Sequence, residues 1–148
     1  MSTSRTVPYQ KTLQVRDHCL CLATQRAARM IARRFDEAFR PLGLTSGQFS
    51  LLMSLNREAP PSIGSVAALL AMDRTTLTAS LKPLTRRRLV SVAVDPKDRR
   101  GRLLKLTAAG RALLASAMPV WERTQKEMER LLATPDAETL RQGLRLLS

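Results

Sequence analysis

Two short polar clusters in the second half of the chain carry side chains suited to binding DNA. The first, residues 73–78, reads DRTTLT and is followed one turn later by Lys82. Arginine can hold guanine through two hydrogen bonds, while threonine offers a hydroxyl to bases or phosphates and a methyl to thymine. The polar first turn of an ordinary helix is the alternative. The candidate DNA contacts in this cluster are Arg74, Thr75, Thr76, Thr78 and Lys82.

The second cluster is the basic turn DPKDRRG at residues 95–101. Arg99, Arg100 and Arg102 lie in or beside it, and a thin projecting loop can insert guanidinium groups into the narrow, strongly negative minor groove of A·T-rich DNA. A free Asp98 would repel DNA, so we interpret this residue as the partner that orients one of the arginines. A solvated charged turn is the alternative, and the polar helix just before the turn makes it the weaker one.

The distribution of charge supports a polyanionic partner. The 148 residues carry a net charge of +13, and 44% are hydrophobic, which is enough for one folded domain with a core. Between Asp73 and Arg111 lie eleven basic residues and three acidic ones. DNA fits such a cluster because each neutralised phosphate releases condensed counterions. A generally arginine-rich proteome would raise the charge everywhere without concentrating it here.

The elements that position these clusters can be predicted from periodicity and capping residues. An apolar stripe through residues 13–42 predicts one long first helix, roughly Tyr9 to Arg40, that stops at Pro41. Thr45 and Gln48 match the capping box that starts a second helix.

Further along, Ser62 and Asp73 are predicted N-caps of two helices joined by a short turn. Alternating apolar residues at 90–94 and 104–106 predict two strands around the basic turn. A helix, a turn, a helix and a hairpin can place one helix in a major groove and reach sideways with a loop. The predicted fold is mainly α with a small β-hairpin wing: a winged helix-turn-helix spanning residues 45–106.

The helices at the two ends of the chain have a different predicted role. The apolar positions of residues 107–133 and of the short helix opened by Asp136 keep helical spacing. Together with the first helix they present more apolar surface than a small DNA-binding core can cover. We therefore expect residues 1–44 and 107–148 to form a helical dimerisation layer against a second copy. A monomer in which these helices merely cap the domain is the alternative.

The segment from Leu69 to Gly110, with DRTTLT at 73–78, Leu89-Val90, DPKDRRG at 95–101 and LTAAG at 106–110, resembles the MarR family of winged-helix transcriptional regulators. The helical arms, residues 1–44 and 107–148, match the layout of that family. The resemblance implies a homodimer, usually a repressor, that binds a pseudo-palindromic operator. Release would follow binding of a small phenolic or other aromatic acid, or oxidation of a cysteine. It also implies that Arg100 is the wing arginine supported by Asp98. Arg88 stands where the family often has glycine, which predicts strain at the helix end and an added phosphate contact.

Residues 18–21, HCLC, are a second candidate site. Cys21 lies at the distance from Gln48 that the resemblance implies for a reactive cysteine of the organic-hydroperoxide-sensing branch. That branch surrounds its thiolate with tyrosine hydroxyls, whereas the corresponding positions here hold Gln25, Phe35 and Ser46 of the partner subunit.

Three interpretations of this segment stay open. Cys19 and Cys21 are small buried residues of the dimer layer, a redox site whose missing donors Arg16 and His18 partly replace, or metal ligands together with His18. Metal binding is the weakest, because Cys19 would project away from the other two on a helix and no further ligand cluster exists. We expect no metal and no cofactor.

A site for a small aromatic effector is expected where the helical layer meets the winged domain. Catalysis has little support, because the chain has one histidine, sparse carboxylates and no glycine-rich phosphate loop. No stretch is long and apolar enough to span a membrane, and the N-terminus lacks a signal core, so we expect a cytoplasmic protein. Two rival functions remain: a non-specific architectural DNA-binding protein and a thiol-based organic-hydroperoxide sensor that uses Cys21. The candidate effector-pocket residues are Arg16, His18, Phe49, Met53 and Trp121.

Overall fold

A computed structural model of the chain describes residues 6–148 and contains mostly helix with one two-stranded antiparallel hairpin. This confirms the predicted fold class. None of the helices described is both long enough and apolar enough to cross a membrane. A 3-10 turn at Arg40–Leu42 joins the second and third helices. The elements are α1 Tyr9–His18, α2 Leu20–Phe39, α3 Ser46–Ser54, α4 Ile63–Leu69, α5 Arg74–Arg86, β1 Val90–Asp95, β2 Asp98–Leu106, α6 Ala108–Glu129 and α7 Ala137–Arg145.

The predicted single first helix is wrong at one residue, because Cys19 interrupts it. The backbone of Cys19 is extended, with φ −77° and ψ 109°. Its Sγ accepts a hydrogen bond from the backbone amide of Leu22 at 3.4 Å, which satisfies a donor that the start of a new helix leaves without a backbone partner. Cys19 therefore acts as the N-cap of α2, and α1 precedes it as a separate helix.

The other predicted helix starts are confirmed by their caps. Thr45 Oγ1 accepts from the Gln48 amide at 3.1 Å, and Gln48 Oε1 accepts from the Thr45 amide at 3.1 Å, which completes a capping box. The side chains of Ser62, Asp73, Thr107 and Asp136 cap α4, α5, α6 and α7 in the same way.

The core lies where α2, α3 and α6 meet the helix-turn-helix and the base of the hairpin. Leu77, Leu81 and Leu84 form the buried face of α5, as their spacing predicts. The rings of Phe39 and Phe49 stack with centroids 4.7 Å apart, which joins α2 to α3. Because the three leucines are buried against the core, the other face of α5 lies toward solvent.

The hairpin, residues 90–106, is the wing, and its base is tightly packed. Strand β2 donates a further backbone hydrogen bond on its outer side, from the Leu104 amide to the Pro61 carbonyl at 2.9 Å. At the start of α6, Thr107 Oγ1 donates to the carbonyl of Arg88 at 2.7 Å. Gly110 lies so close to Leu89, the residue before β1, that an added Cβ would come within 2.1 Å of the Leu89 carbonyl oxygen. Only glycine fits at this contact.

Among residues 6–148, two residues other than glycine adopt left-handed backbone angles. Ala71, with φ 51°, makes the turn between α4 and α5, and Arg88, with φ 57°, ends α5. A side chain at positive φ brings Cβ too close to the backbone, so both positions are strained. The strain predicted at Arg88 is confirmed.

Candidate nucleic-acid interface

The solvent face of α5 carries the residues of the first polar cluster. Arg74, Thr75, Thr76, Thr78 and Lys82 are all exposed, whereas Leu77, Leu81 and Leu84 of the same helix are buried. Because α5 follows α4 after a tight turn and is anchored by its leucines, this polar face projects away from the core. The structure thus places all five candidate residues on one accessible surface.

The threonines on this surface differ in their hydrogen bonds. Thr76 Oγ1 donates to Asp73 Oδ2 at 2.8 Å, and Thr78 Oγ1 donates to the Arg74 carbonyl at 2.8 Å. Within the described part of the chain, Thr75 has no such bond. Its hydroxyl proton is therefore free for a ligand, whereas Thr76 and Thr78 offer mainly their methyl groups and oxygen lone pairs.

Asp73 holds the start of α5 through two bonds. Its Oδ1 accepts from the Thr76 amide at 2.7 Å, and its Oδ2 accepts from the hydroxyl of the same residue. These bonds, the one from the backbone amide foremost, hold the pKa of Asp73 below its ordinary value. The cap is therefore ionised at neutral pH and fixes the first turn, which carries Arg74 and Thr75.

A neighbouring glycine makes room for the side chain of Arg74. A Cβ added at Gly64, in α4, would lie 2.8 Å from Nη2 of Arg74. The guanidinium of Arg74 therefore lies over α4, at the point where that helix has no side chain. This pairing joins residues of two helices, and periodicity within one helix does not reveal it.

The wing exposes Arg99, Arg100 and Arg102, as the sequence predicts. The predicted ion pair between Asp98 and one of these arginines is wrong, since no arginine in residues 6–148 pairs with the carboxylate. Asp98 Oδ1 instead accepts from the backbone amide of Arg100 at 3.0 Å. The local amide is closer than any flexible guanidinium, so the carboxylate closes the turn.

The arginines of the wing then divide into two kinds. Arg102 Nη1 donates to the carbonyls of Arg99 and Gly101 at 3.2 and 3.1 Å. The guanidinium groups of Arg99 and Arg100 make no hydrogen bond or ion pair to any described residue. Arg99 and Arg100, in β2 beside the turn at Pro96 and Lys97, therefore carry uncommitted cations, as does the exposed Lys97.

A bond that sequence patterns do not indicate links α5 to the helical arm. Arg87, the residue after α5, donates from Nη1 to the carbonyl of Gly43 at 2.8 Å, across 44 residues of sequence. Gly43 has φ 63° and lies in the turn between α2 and α3. The C-terminal end of α5 is thus held directly against that turn.

A groove of about 940 Å³ opens between α2, α3, α6 and α7. Of the residues proposed for an effector pocket, Phe49 and Trp121 line this groove. The other three predicted pocket residues do not, because Arg16 and His18 lie in α1 before the break at Cys19, and Met53 lies beyond the part of α3 that faces the groove. Its lining also includes Leu20, Ala23, Thr24, Ala27, Ala28, Ile31, Ala32, Phe35, Phe39, Ser46, Gly47, Ser50, Gln125, Pro135, Thr139, Leu140, Gly143, Leu144 and Leu147.

The two cysteines are free thiols outside this groove. Cys19 is half-buried at its cap, and Cys21 is exposed. Nε2 of Gln25 lies 3.3 Å from the Cys21 sulfur and donates to it, so a side-chain amide stands where the peroxide-sensing branch has a phenolic hydroxyl. Among the described residues, no cluster of three His, Cys, Asp or Glu side chains could hold a metal ion.

Comparison with known proteins agrees with this geometry. A sequence profile described as MarR family matches residues 42–101, which include α3 to α5 and most of the wing. The HTH-type transcriptional repressor NicR of Pseudomonas putida is 36% identical over 112 residues, which cover 76% of this chain and 68% of that protein. The chain belongs to the MarR family.

Solved MarR-family structures extend the likeness to nearly the whole chain. The M. tuberculosis regulator MosR in complex with DNA superposes with a TM-score of 0.80 at 36% identity, covering 88% of this chain and 93% of MosR. Bordetella bronchiseptica BpsR, solved to explain the regulation of its DNA binding by 6-hydroxynicotinic acid, gives a TM-score of 0.74 at 28% identity over 84% of this chain and 95% of BpsR. The protein is therefore a winged-helix member of a family of DNA-binding transcriptional regulators.

Proposed function

We propose that this MarR-family chain is a homodimeric cytoplasmic repressor that binds a pseudo-palindromic operator and leaves it when a small molecule binds. The observation that supports this most is the combination of the exposed polar face of α5 with the uncommitted cations of Arg99 and Arg100 beside the turn of the wing. A helix face that carries threonine and arginine can read base edges, and free guanidinium groups can enter a minor groove.

The DNA contacts we propose come from both elements. On α5, Thr75 donates its hydroxyl, Thr76 and Thr78 present methyl groups, and Arg74 and Lys82 contact guanine or phosphate. On the wing, Arg99 and Arg100 enter the minor groove, while Asp98 shapes the turn and Arg102 supports the backbone beside it. Residues 45–106 form the DNA-binding part in this proposal.

The arms, residues 1–44 and 107–148, pair with a second copy in this proposal. Leu20 of α2 and Leu147, just after α7, border the groove and are 69% and 65% exposed. Apolar side chains exposed in one contiguous surface favour burial against another chain. A two-fold dimer would present two α5 helices to two half-sites of one operator.

Effector release follows from the position of the groove. Its floor is formed by α2 and α3, and the bond from Arg87 to Gly43 joins the turn between these helices to α5. A ligand that binds one arrangement of the arms better than another changes the spacing of the two α5 helices and so the affinity for the operator.

Footprinting of the full-length protein on DNA from its own genome tests the proposal. We expect one protected, pseudo-palindromic site and a dimer by sedimentation. The Arg99→Ala, Arg100→Ala double variant should lose affinity for that site, whereas the matched control Arg123→Ala, which removes an exposed arginine of α6, should not. Equal affinity for every DNA sequence, with a steep salt slope, would favour the architectural alternative. A monomer in sedimentation would contradict the proposed assembly.

A second candidate, the organic-hydroperoxide sensor, rests on the exposed Cys21 and the amide that Gln25 donates to its sulfur. One neutral donor stabilises a thiolate less than a set of phenolic hydroxyls, so we expect DNA binding to persist at low oxidant. Rapid release by a hydroperoxide that is abolished in Cys21→Ser and retained in Cys19→Ser would establish the sensor instead.

A further inference from the structure

The lining of the groove specifies a class of ligand, an inference that rests on the proposed function. The groove has two parts of different exposure. At its inner end Phe35 and Phe49 are 8% and 7% exposed and pack with Phe39, next to the half-buried Trp121. At its outer rim Leu20 and Leu147 are largely exposed, and the second copy covers them in the proposed dimer. The inner end is the part left for a small ligand.

No charged side chain lines this groove in the described part of the chain. Its polar side chains are all neutral, and two of them already donate a hydrogen bond to another group of the chain. Thr24 Oγ1 donates to the Leu20 carbonyl at 2.8 Å, and Gln125 Nε2 donates to Glu129 Oε1 at 2.9 Å. The hydroxyls of Ser46 and Ser50 make no hydrogen bond to other described residues. The neutral polar lining residues are Thr24, Ser46, Ser50, Gln125 and Thr139.

The cation just behind the groove is already paired. Arg141 of α7 lies 3.0 Å from Glu129 and 2.9 Å from Glu138, so one guanidinium serves two carboxylates. Any further anion would compete with both. The other described arginines and lysines are exposed, and the effect of exposed charges is screened beyond about 10 Å at ordinary ionic strength.

We propose that the groove selects an uncharged aromatic ligand, such as an aryl amide, ester or alcohol, and rejects the corresponding carboxylate. An ionised carboxylate loses its hydration in an apolar site and finds no cation in the lining that this chain supplies, whereas a neutral polar group loses less and can bond to the free serine hydroxyls. The aromatic rings of Phe35, Phe49 and Trp121 supply the stacking surfaces for the ligand ring. This ligand class departs from the aromatic acid that the family resemblance implies.

Trp121 provides a direct readout, because it is the single tryptophan of the chain and lines the groove. The full-length protein is titrated at neutral pH with matched pairs, benzamide against benzoate and cinnamamide against cinnamate. Binding is followed by Trp121 fluorescence and checked by calorimetry. We expect each amide to bind at least tenfold more tightly than its carboxylate, equivalent to about 1.4 kcal/mol. Equal or tighter binding of the carboxylates overturns the proposal, and so does no binding of either amide at millimolar concentration.

A charge placed in the groove sharpens the test. Ser50→Lys introduces the missing cation, and we expect it to reverse the preference in favour of benzoate. The matched control is Ser116→Lys, which adds the same charge at an exposed serine of α6 outside the groove and should leave the preference unchanged. An unchanged preference in Ser50→Lys contradicts the proposed site. Operator release is measured separately by gel shift. Amides that bind the groove without releasing DNA refute the effector part of the proposed function and leave the ligand class intact.

Discussion

Two regions of the molecule differ in side-chain composition. The first is the polar face of α5 together with the wing, and the second is the groove between the arms. The first region carries cations, and those of Arg99 and Arg100 are among the ones held by no other described residue. The groove carries aromatic and aliphatic side chains, and Arg141, which follows the lining residue Leu140, is held by Glu129 and Glu138. A cation left free in one region and neutralised beside the other suggests that the chain separates its response to polyanions from its response to small molecules.

The substitution with the largest expected effect disrupts the first region alone. Gly110→Ala would place a Cβ within 2.1 Å of the Leu89 carbonyl and push the wing away from α6. We expect a loss of about 3 kcal/mol or more in the free energy of unfolding, at the upper end of overpacking effects. Chemical denaturation measures it.

Gly143→Ala is the matched control in the second region. A Cβ at Gly143 of α7 meets no atom within 4 Å, so alanine should stabilise the helix by about 0.5–1 kcal/mol. Equal destabilisation by the two substitutions would contradict the packing described at the base of the wing.

A smaller effect distinguishes a turn-forming carboxylate from an ion pair in the wing. Arg100→Ala should weaken operator binding by about 1–3 kcal/mol without changing the melting temperature. Asp98→Asn should bind DNA as well as the wild type, because the amide oxygen can still accept from the Arg100 backbone. A gel-shift titration compares them. If Asp98→Asn weakened binding as much as Arg100→Ala, the carboxylate would act through a guanidinium after all.

The next effect concerns the strained end of α5. Arg88→Gly removes a Cβ from a residue with φ 57° and should raise stability by about 1 kcal/mol, partly offset by the greater freedom of glycine when unfolded. If Arg88 contacts a phosphate, the same variant should reduce the salt dependence of DNA binding by about one unit of slope. If Arg88→Gly were no more stable than the wild type, the left-handed backbone at this position would carry no cost in free energy.

The smallest effect is on the second region, where α7 docks on α6. The side-chain amide of Gln125 and the guanidinium of Arg141 hold the pKa of Glu129 below its ordinary value, and Arg141 lowers the pKa of Glu138. The stabilisation is therefore fully present above the ordinary glutamate pKa of about 4.3 and is lost as the pH falls through the lower folded-state values. Trp121 fluorescence during acid titration follows this loss, and Glu129→Gln should flatten the curve. A transition near neutral pH would contradict the assignment.

Local chemistry made most of the fold predictable. The capping box of Thr45 and Gln48 and the cap at Asp73 are satisfied within three residues, and Leu77, Leu81 and Leu84 follow the period of one helix. The DNA-facing surface follows from these elements, because its exposed side is the side that the leucines do not use. The family resemblance indicated that the arms and the wing occur together in one architecture.

The errors arose where a side chain had a choice of partner. Cys19 caps a new helix although the apolar stripe runs through it, and Asp98 bonds to a nearby amide although three arginines flank it. The lining of the groove depends on where α1 ends and on contacts between four helices. Periodicity within single helices cannot give that geometry, so it could not show that Phe49 and Trp121 line the groove whereas Arg16, His18 and Met53 do not.

The bond from Arg87 to Gly43 makes a closed ring of the chain between them. Helices α3, α4 and α5 lie inside that ring, whose two ends meet at 2.8 Å. Displacement of the turn after α2 therefore reaches the far end of α5 through a single hydrogen bond, without crossing the core between them. We therefore expect a rotation of the arm to change the direction in which the helix-turn-helix points more than its internal shape.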